Sequence, residues 1–122
     1  MKRAHTELDA EQNGIALVKA IYEFTTEFPV EERCGLTSQI RRAGISIPAN
    51  VVQGAARGTH KEFLHLPTIA PGSISEFETL LIVAKEVGLA SDETAVVPEE
   101  LCDLVSSQLS GLFKSVRRKT TV

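Results

Sequence analysis

Apolar residues recur along this chain at three- and four-residue spacing in four separate stretches, and few runs of β-branched residues alternate as a strand would. The stretch LTSQIRRAGISIPANVVQGAAR, from Leu36 to Arg57, carries two such patterns at once. At about 100° per residue, Leu36, Ile40, Ala43, Ile47 and Val51 fall on one stripe of a helix. Ile45, Ala49, Val52 and Ala56 fall nearly opposite, with Arg41, Arg42, Ser46 and Gln53 between the stripes. A helix with two apolar sides needs two partners. The first stripe predicts a core face. The second, small and alanine-rich, predicts a contact with another copy, although single exposed apolar residues are also common. Pro48 removes an N–H, and its ring presses on the carbonyl of residue 44, which is the pliable Gly44. The stripe keeps its phase across the proline. The spacing therefore predicts a continuous helix kinked at Pro48, with a restart capped by Ser46 as the alternative.

The remaining helices follow from the same periodicity. Residues 1–10 read as a polar tail, and a first helix is expected from Glu11 to Glu27, with Leu17, Ile21, Phe24 and Phe28 on its stripe and Val18 and Tyr22 widening it. Phe28-Pro29-Val30-Glu31-Glu32 reads as a turn into the second helix. Thr59-His60-Lys61-Glu62 has the T-x-x-E form of a capping box, opening a third helix whose stripe is Phe63, Leu66, Ala70, Ile74, Phe77, Leu81 and Ala84. Gly88 supplies its stop, and Pro67, Pro71 and Gly72 predict a break or sharp kink at 67–72. After a linker from Leu89 to Val97, Pro98 with Glu99 and Glu100 marks the start of a fourth helix, with Leu101, Val105, Leu109, Leu112 and Val116 facing inward. Four amphipathic helices on short loops predict an all-α, up-down-up-down four-helix bundle over residues 11–119, as a single domain.

Composition agrees with this and narrows the chemistry. With 122 residues, 43% of them hydrophobic and 24% charged, the chain has room for one core and no reason for disorder. No apolar run approaches the roughly 20 residues of a membrane span, and the start MKRAHTELDAEQ has no apolar signal core, so a cytoplasmic protein is expected. Cys34 and Cys102 form no C-x-x-C and read as reduced thiols. His60 and His65 are five apart, turned about 140° from each other on a helix, and do not converge on a metal. Glu76 and Glu78, two apart, cannot share a face as an acid/base pair. No catalytic, cofactor or metal site is expected, and the chain reads as a non-enzymatic protein.

Charge is divided unevenly. Residues 33–61 hold five Lys and Arg and no acid, 104–122 hold four and no acid, while 1–32 and 62–103 are acidic, for a total of −3. An up-down bundle gathers Lys2, Arg3, Arg57, Lys61, Lys114, Arg117, Arg118 and Lys119 at one pole, a candidate surface for nucleic acid. Helix dipoles alone account for part of this arrangement. Among the polar residues of the centre, Asn50 is expected to find a partner beside Pro48. Arg42 is expected either to pair with Glu76 or Glu78 on the third helix or to remain solvated.

FPVEERCGLTSQIRRAGISIPANVVQGAARGTHKEF, followed by GSISEFETLLIVAKEVGL, resembles the four-helix bundle family of the ribosomal RNA intervening-sequence proteins, to which the accessory variability protein of diversity-generating retroelements is related. The likeness runs from Phe28 to Leu89, with R-R-A-x-x-S-I-P-A-N at its centre. The family pattern falls on Gln39, Arg42, Ser46, Pro48, Asn50, Gly54, Gly72, Ser73, Glu76 and Glu78. This chain departs from it in having Gln53 in place of an acid, in Pro67 and Pro71, and in its net acidity. The resemblance implies a left-handed bundle assembling into a ring, characteristically a homopentamer, with RNA or DNA as a partner and no enzymatic activity. The alternative expectation is a scaffold that binds only protein.

Overall fold

Four stretches of helical periodicity become four helices. The computed structural model describes residues 5–57 and 66–120, with the backbone alone at 5–8, 51–57, 66–71 and 112–120. Helix α1 spans His5–Thr26, a 3-10 turn spans Val30–Glu32, and α2 spans Leu36–Arg57. Helix α3 spans Leu66–Glu86 and α4 spans Asp92–Thr120. No strand occurs among the described residues. Each helix packs on two neighbours, α1 on α2, α2 on α3, α3 on α4 and α4 back on α1, with α3–α4 the thinnest of the four contacts. Neighbours run antiparallel: Gly14 of α1 adjoins Pro48 of α2, while Ile21 adjoins Gly44. Across α1 and α4, the Asn13 amide donates to Gln108 Oε1 at 3.1 Å.

The core holds the expected stripes as far as they are described; the side chains of Val51, Phe63, Leu66, Ala70, Leu112 and Val116 lie outside the described residues. Leu17, Ile21, Phe24 and Phe28 meet Ile40, Ala43 and Ile47, with Phe77, Leu81 and Ala84 closing the far side. The Phe24 and Phe28 rings meet edge to face, centroids 5.2 Å apart. Helix α4 contributes Ala95, Cys102, Val105 and Leu109, spaced to lie on one face. Tyr22 departs from expectation. It is 42% exposed and widens no core stripe.

Helix α2 continues through Pro48 as the stripe phase requires. The alternative restart is excluded by Ser46, whose hydroxyl donates back to the Ala43 carbonyl at 2.7 Å rather than capping a new helix. Two glycines let α1 and α2 approach. A Cβ on Gly14 would lie 2.6 Å from Pro48 Cβ and 3.3 Å from its Cα, against rigid atoms. One on Gly44 would meet the mobile end of Ile21 at 2.2 Å. Gly14→Ala is therefore expected to cost about 2–3 kcal/mol in overpacking, more than the roughly 1 kcal/mol gained in helix propensity. Its melting temperature should fall by about 4–8 °C, and a thermal melt showing a rise would contradict this packing.

Three boundaries differ from those expected. Helix α1 begins at His5, inside the stretch read as a tail, and Ala10 is already buried in the core. Of the break or sharp kink expected at 67–72, the break is absent, because α3 is unbroken from Leu66 to Glu86. Pro67 falls in the first turn of the described helix, where an N–H has no acceptor within it, so only Pro71 removes an interior bond. The capping box at 59–62 lies outside the described residues. Helix α4 starts at Asp92, not Pro98. Ser91 Oγ accepts from the Thr94 N–H at 3.2 Å, and Thr94 Oγ1 accepts from the Ser91 N–H at 2.9 Å, a reciprocal cap with Asp92 and Glu93 in the first turn. Pro98 is carried inside the helix and buried. The end of α3 is as expected. Gly88 adopts φ 82°, Gly88 N–H bonds the Lys85 carbonyl, and Leu89 N–H reaches back to the Ala84 carbonyl. Lys85 then ties the corner, 3.1 Å from Asp92 and 2.5 Å from Glu99, and these bonds, Glu99 first, raise its pKa.

Candidate interaction face on α1 and α2

Because Gly14 and Gly44 bring the backbones together, the outer edges of α1 and α2 form one surface. On α1, Ile15 and Tyr22 stand two turns apart on the same side, 59% and 42% exposed. On α2, Ile45 is 40% exposed and Ala49 is half-buried. Ile15 follows Gly14 and Ala49 follows Pro48, so the pair stands at one level of the bundle. Tyr22 and Ile45 line a single concavity. The outer stripe expected on α2 thus has a counterpart on α1 that periodicity alone had assigned partly to the core. Side chains of Val52 and Ala56 lie outside the described residues.

Toward the start of α2 the same surface becomes cationic. A concavity of about 380 Å³ is lined by Tyr22, Arg33, Thr37, Ser38, Arg41, Arg42 and Ile45. The 3-10 turn delivers Arg33, whose N–H bonds the Val30 carbonyl at 3.1 Å. Arg41 is fixed on two sides. Its guanidinium carbon lies 4.3 Å from the Tyr22 ring centroid, and its Nε donates to Thr25 Oγ1 at 2.9 Å. Thr25 is buried and its hydroxyl donates to the Ile21 carbonyl at 2.8 Å, leaving a lone pair for Arg41. Among the described residues, no ion pair joins Arg33, Arg41 or Arg42 to a carboxylate.

The other expected positions divide. Arg42 is exposed on this face, and among the described residues it makes no ion pair with Glu76 or Glu78, both exposed on α3. Asn50 is half-buried, two residues beyond Pro48. Lys2, Arg3 and Lys61 lie outside the described residues. Arg57, Lys114, Arg117, Arg118 and Lys119 lie in the last turns of α2 and α4, and their side chains are not described. The antiparallel packing puts those two helix ends at one pole. Sequence reasoning missed the arginine concavity. Its residues come from three elements, and the available signal was the acid-free run from Arg33 to Lys61.

Across the bundle, Glu78, Leu81, Ile82, Glu99, Cys102 and Asp103 line a smaller groove between α3 and α4. Burial first, then the charges of Glu78 and Asp103, push the Cys102 thiol up to about 12. At pH 8 a thiol reagent should therefore modify the exposed Cys34 and leave Cys102 untouched until the protein unfolds. Two thiols reacting at equal rates in the native protein would contradict that burial. Among the described residues, no cluster of His, Cys, Asp and Glu could hold a metal, and no helix is long and apolar enough to cross a membrane.

The family model of the 23S rRNA-intervening sequence protein matches residues 6–111. The chain belongs to this family. The match covers α1 through most of α4, well beyond the Phe28–Leu89 likeness visible by eye. No curated protein matches significantly.

Proposed function

We propose that this member of the intervening-sequence protein family is a non-enzymatic interaction protein of the cytoplasm. In this reading it self-associates through the α1/α2 face and meets nucleic acid at its basic pole. The observation that carries the reading is the exposed apolar strip of Ile15, Tyr22 and Ile45 on two adjoining helices. Such side chains aligned on one surface favour a contact that removes them from water. The opposite side of the bundle is an acidic groove, a different surface. Contact between unlike surfaces generates rings when the rotation closes. Five subunits is the number that the family resemblance suggests. Acid-free helix ends at one pole would then repeat around one rim, as a belt suited to phosphate.

Tyr22 is the one tyrosine of a chain without tryptophan, so its fluorescence reports on this face alone. Acrylamide should quench Tyr22 at least twofold less in the wild type than in Ile15→Asp. Equal quenching, with equal mass, would overturn self-association through this face. Labelled RNA and duplex DNA titrated at low salt test the second half of the proposal. Binding that weakens steeply with salt is expected. Absence of binding to either would favour the purely protein-binding scaffold.

A further inference from the structure

The arginine concavity lies toward the pole opposite the basic helix ends and shares Tyr22 and Ile45 with the edge of the apolar strip, but neither the strip nor the basic pole accounts for its three arginines. Arg33, Arg41 and Arg42 line about 380 Å³ of open space together with the hydroxyl residues Thr37 and Ser38. Arg41 enters it already ordered, by Tyr22 on one side and Thr25 on the other. Its Nε is used, which leaves the four N–H donors of its two Nη groups, in the planar fork that matches a tetrahedral oxyanion. Holding a guanidinium in place before the ligand arrives removes much of the entropy cost of binding. Arg33 and Arg42 make no ion pair among the described residues, and none of the described residues lining the concavity is a carboxylate. We infer that this concavity binds a phosphate of a single-stranded nucleic acid, with Arg41 as the fixed donor and Arg33 and Arg42 closing over the flanking oxygens.

A strand suits the shape better than a duplex, because a flexible backbone can lower one phosphate into a concavity. The inference rests on the nucleic-acid reading above but places a second contact at the other end of the bundle.

The test compares wild type, Arg33→Ala/Arg42→Ala and Lys114→Ala/Arg117→Ala/Arg118→Ala/Lys119→Ala in titrations with labelled single-stranded RNA. The Arg41 Nε–Hε resonance is followed by NMR in parallel, with RNA and with inorganic phosphate. Both replaced arginines are exposed and unbonded, so the double variant should keep the helical content of the wild type. If each neutralises one phosphate, the slope of log affinity against log salt drops by about 1.4, making binding at 0.1 M salt about 25-fold weaker than the wild type relative to 1 M. The Arg41 resonance should shift with RNA and with phosphate, and should still shift in the basic-pole variant. Affinity unchanged in Arg33→Ala/Arg42→Ala overturns the inference, even where the basic-pole variant loses binding and the pole reading stands. So does an Arg41 resonance that RNA leaves unmoved, including the case in which polyglutamate moves it and the occupant is an acidic protein segment.

Discussion

Replacing Ile45 by Asp is expected to dissolve the assembly into smaller species while leaving the bundle folded. Ile45 is 40% exposed in the isolated chain, so a carboxylate there meets water in the monomer and costs the fold little. In an assembly built on the α1/α2 face, the same carboxylate would be buried against apolar atoms, with Arg41 and Arg42 one turn away offsetting only part of its desolvation. Desolvation then costs several kcal/mol at every contact. At about 1.4 kcal/mol per decade, a cost of about 4 kcal/mol weakens each contact by roughly three decades. A ring compounds this, since every subunit carries the substitution. Val52→Asp, on the same stripe, should act alike. Light scattering and far-ultraviolet circular dichroism on the same samples check both halves. A lower mass with unchanged helicity is expected, and unchanged mass in both variants would remove this face from consideration.

The second large effect is expected at the basic pole. Replacing Lys114, Arg117, Arg118 and Lys119 by Ala should remove most nucleic-acid binding. If each cation neutralises one phosphate of a single strand, the salt slope falls by about 2.8, and affinity at 0.1 M salt falls by about 600-fold relative to 1 M. These residues follow the last described core position of α4, Leu109, and close the helix with charges that also suit its dipole. Their removal should therefore lower stability slightly as well, so helicity at 25 °C must be matched before affinities are compared. Binding of RNA by the quadruple variant as tightly as by wild type would end the pole's role.

Much of the fold was legible because its signals are local and periodic. The two stripes between Leu36 and Arg57 set the bounds of α2, and their constant phase across Pro48 favoured a continuous helix over a restart. Gly88 marked the end of α3 because only a glycine accepts that φ at low cost. The errors came where one residue carried two readings. Pro98 followed by Glu99 and Glu100 has the look of a first helical turn. The true cap is the less conspicuous Ser91–Thr94 pair seven residues earlier, and the helix tolerates the proline inside. Pro67, Pro71 and Gly72 read as a break or a sharp kink, and of the two the break is excluded by one unbroken α3 carrying Ile74, Phe77 and Leu81. The candidate site was half visible. The outer stripe of α2 could be counted along one helix, whereas Ile15 and Tyr22 join it only through the register of α1 against α2. The arginine concavity depends on the 3-10 turn bringing Arg33 beside Arg41 and Arg42, a fact of backbone geometry that spacing does not encode.

Self-association through α1 and α2 is the central claim, and sedimentation equilibrium tests it most directly. Wild type and Ile45→Asp would be measured from micromolar to hundreds of micromolar concentration. The wild type is expected at a multiple of the 13.2 kDa chain mass, with five as the expected multiple, and Ile45→Asp at or near one. A wild type that sediments at 13.2 kDa across the whole range would contradict the account.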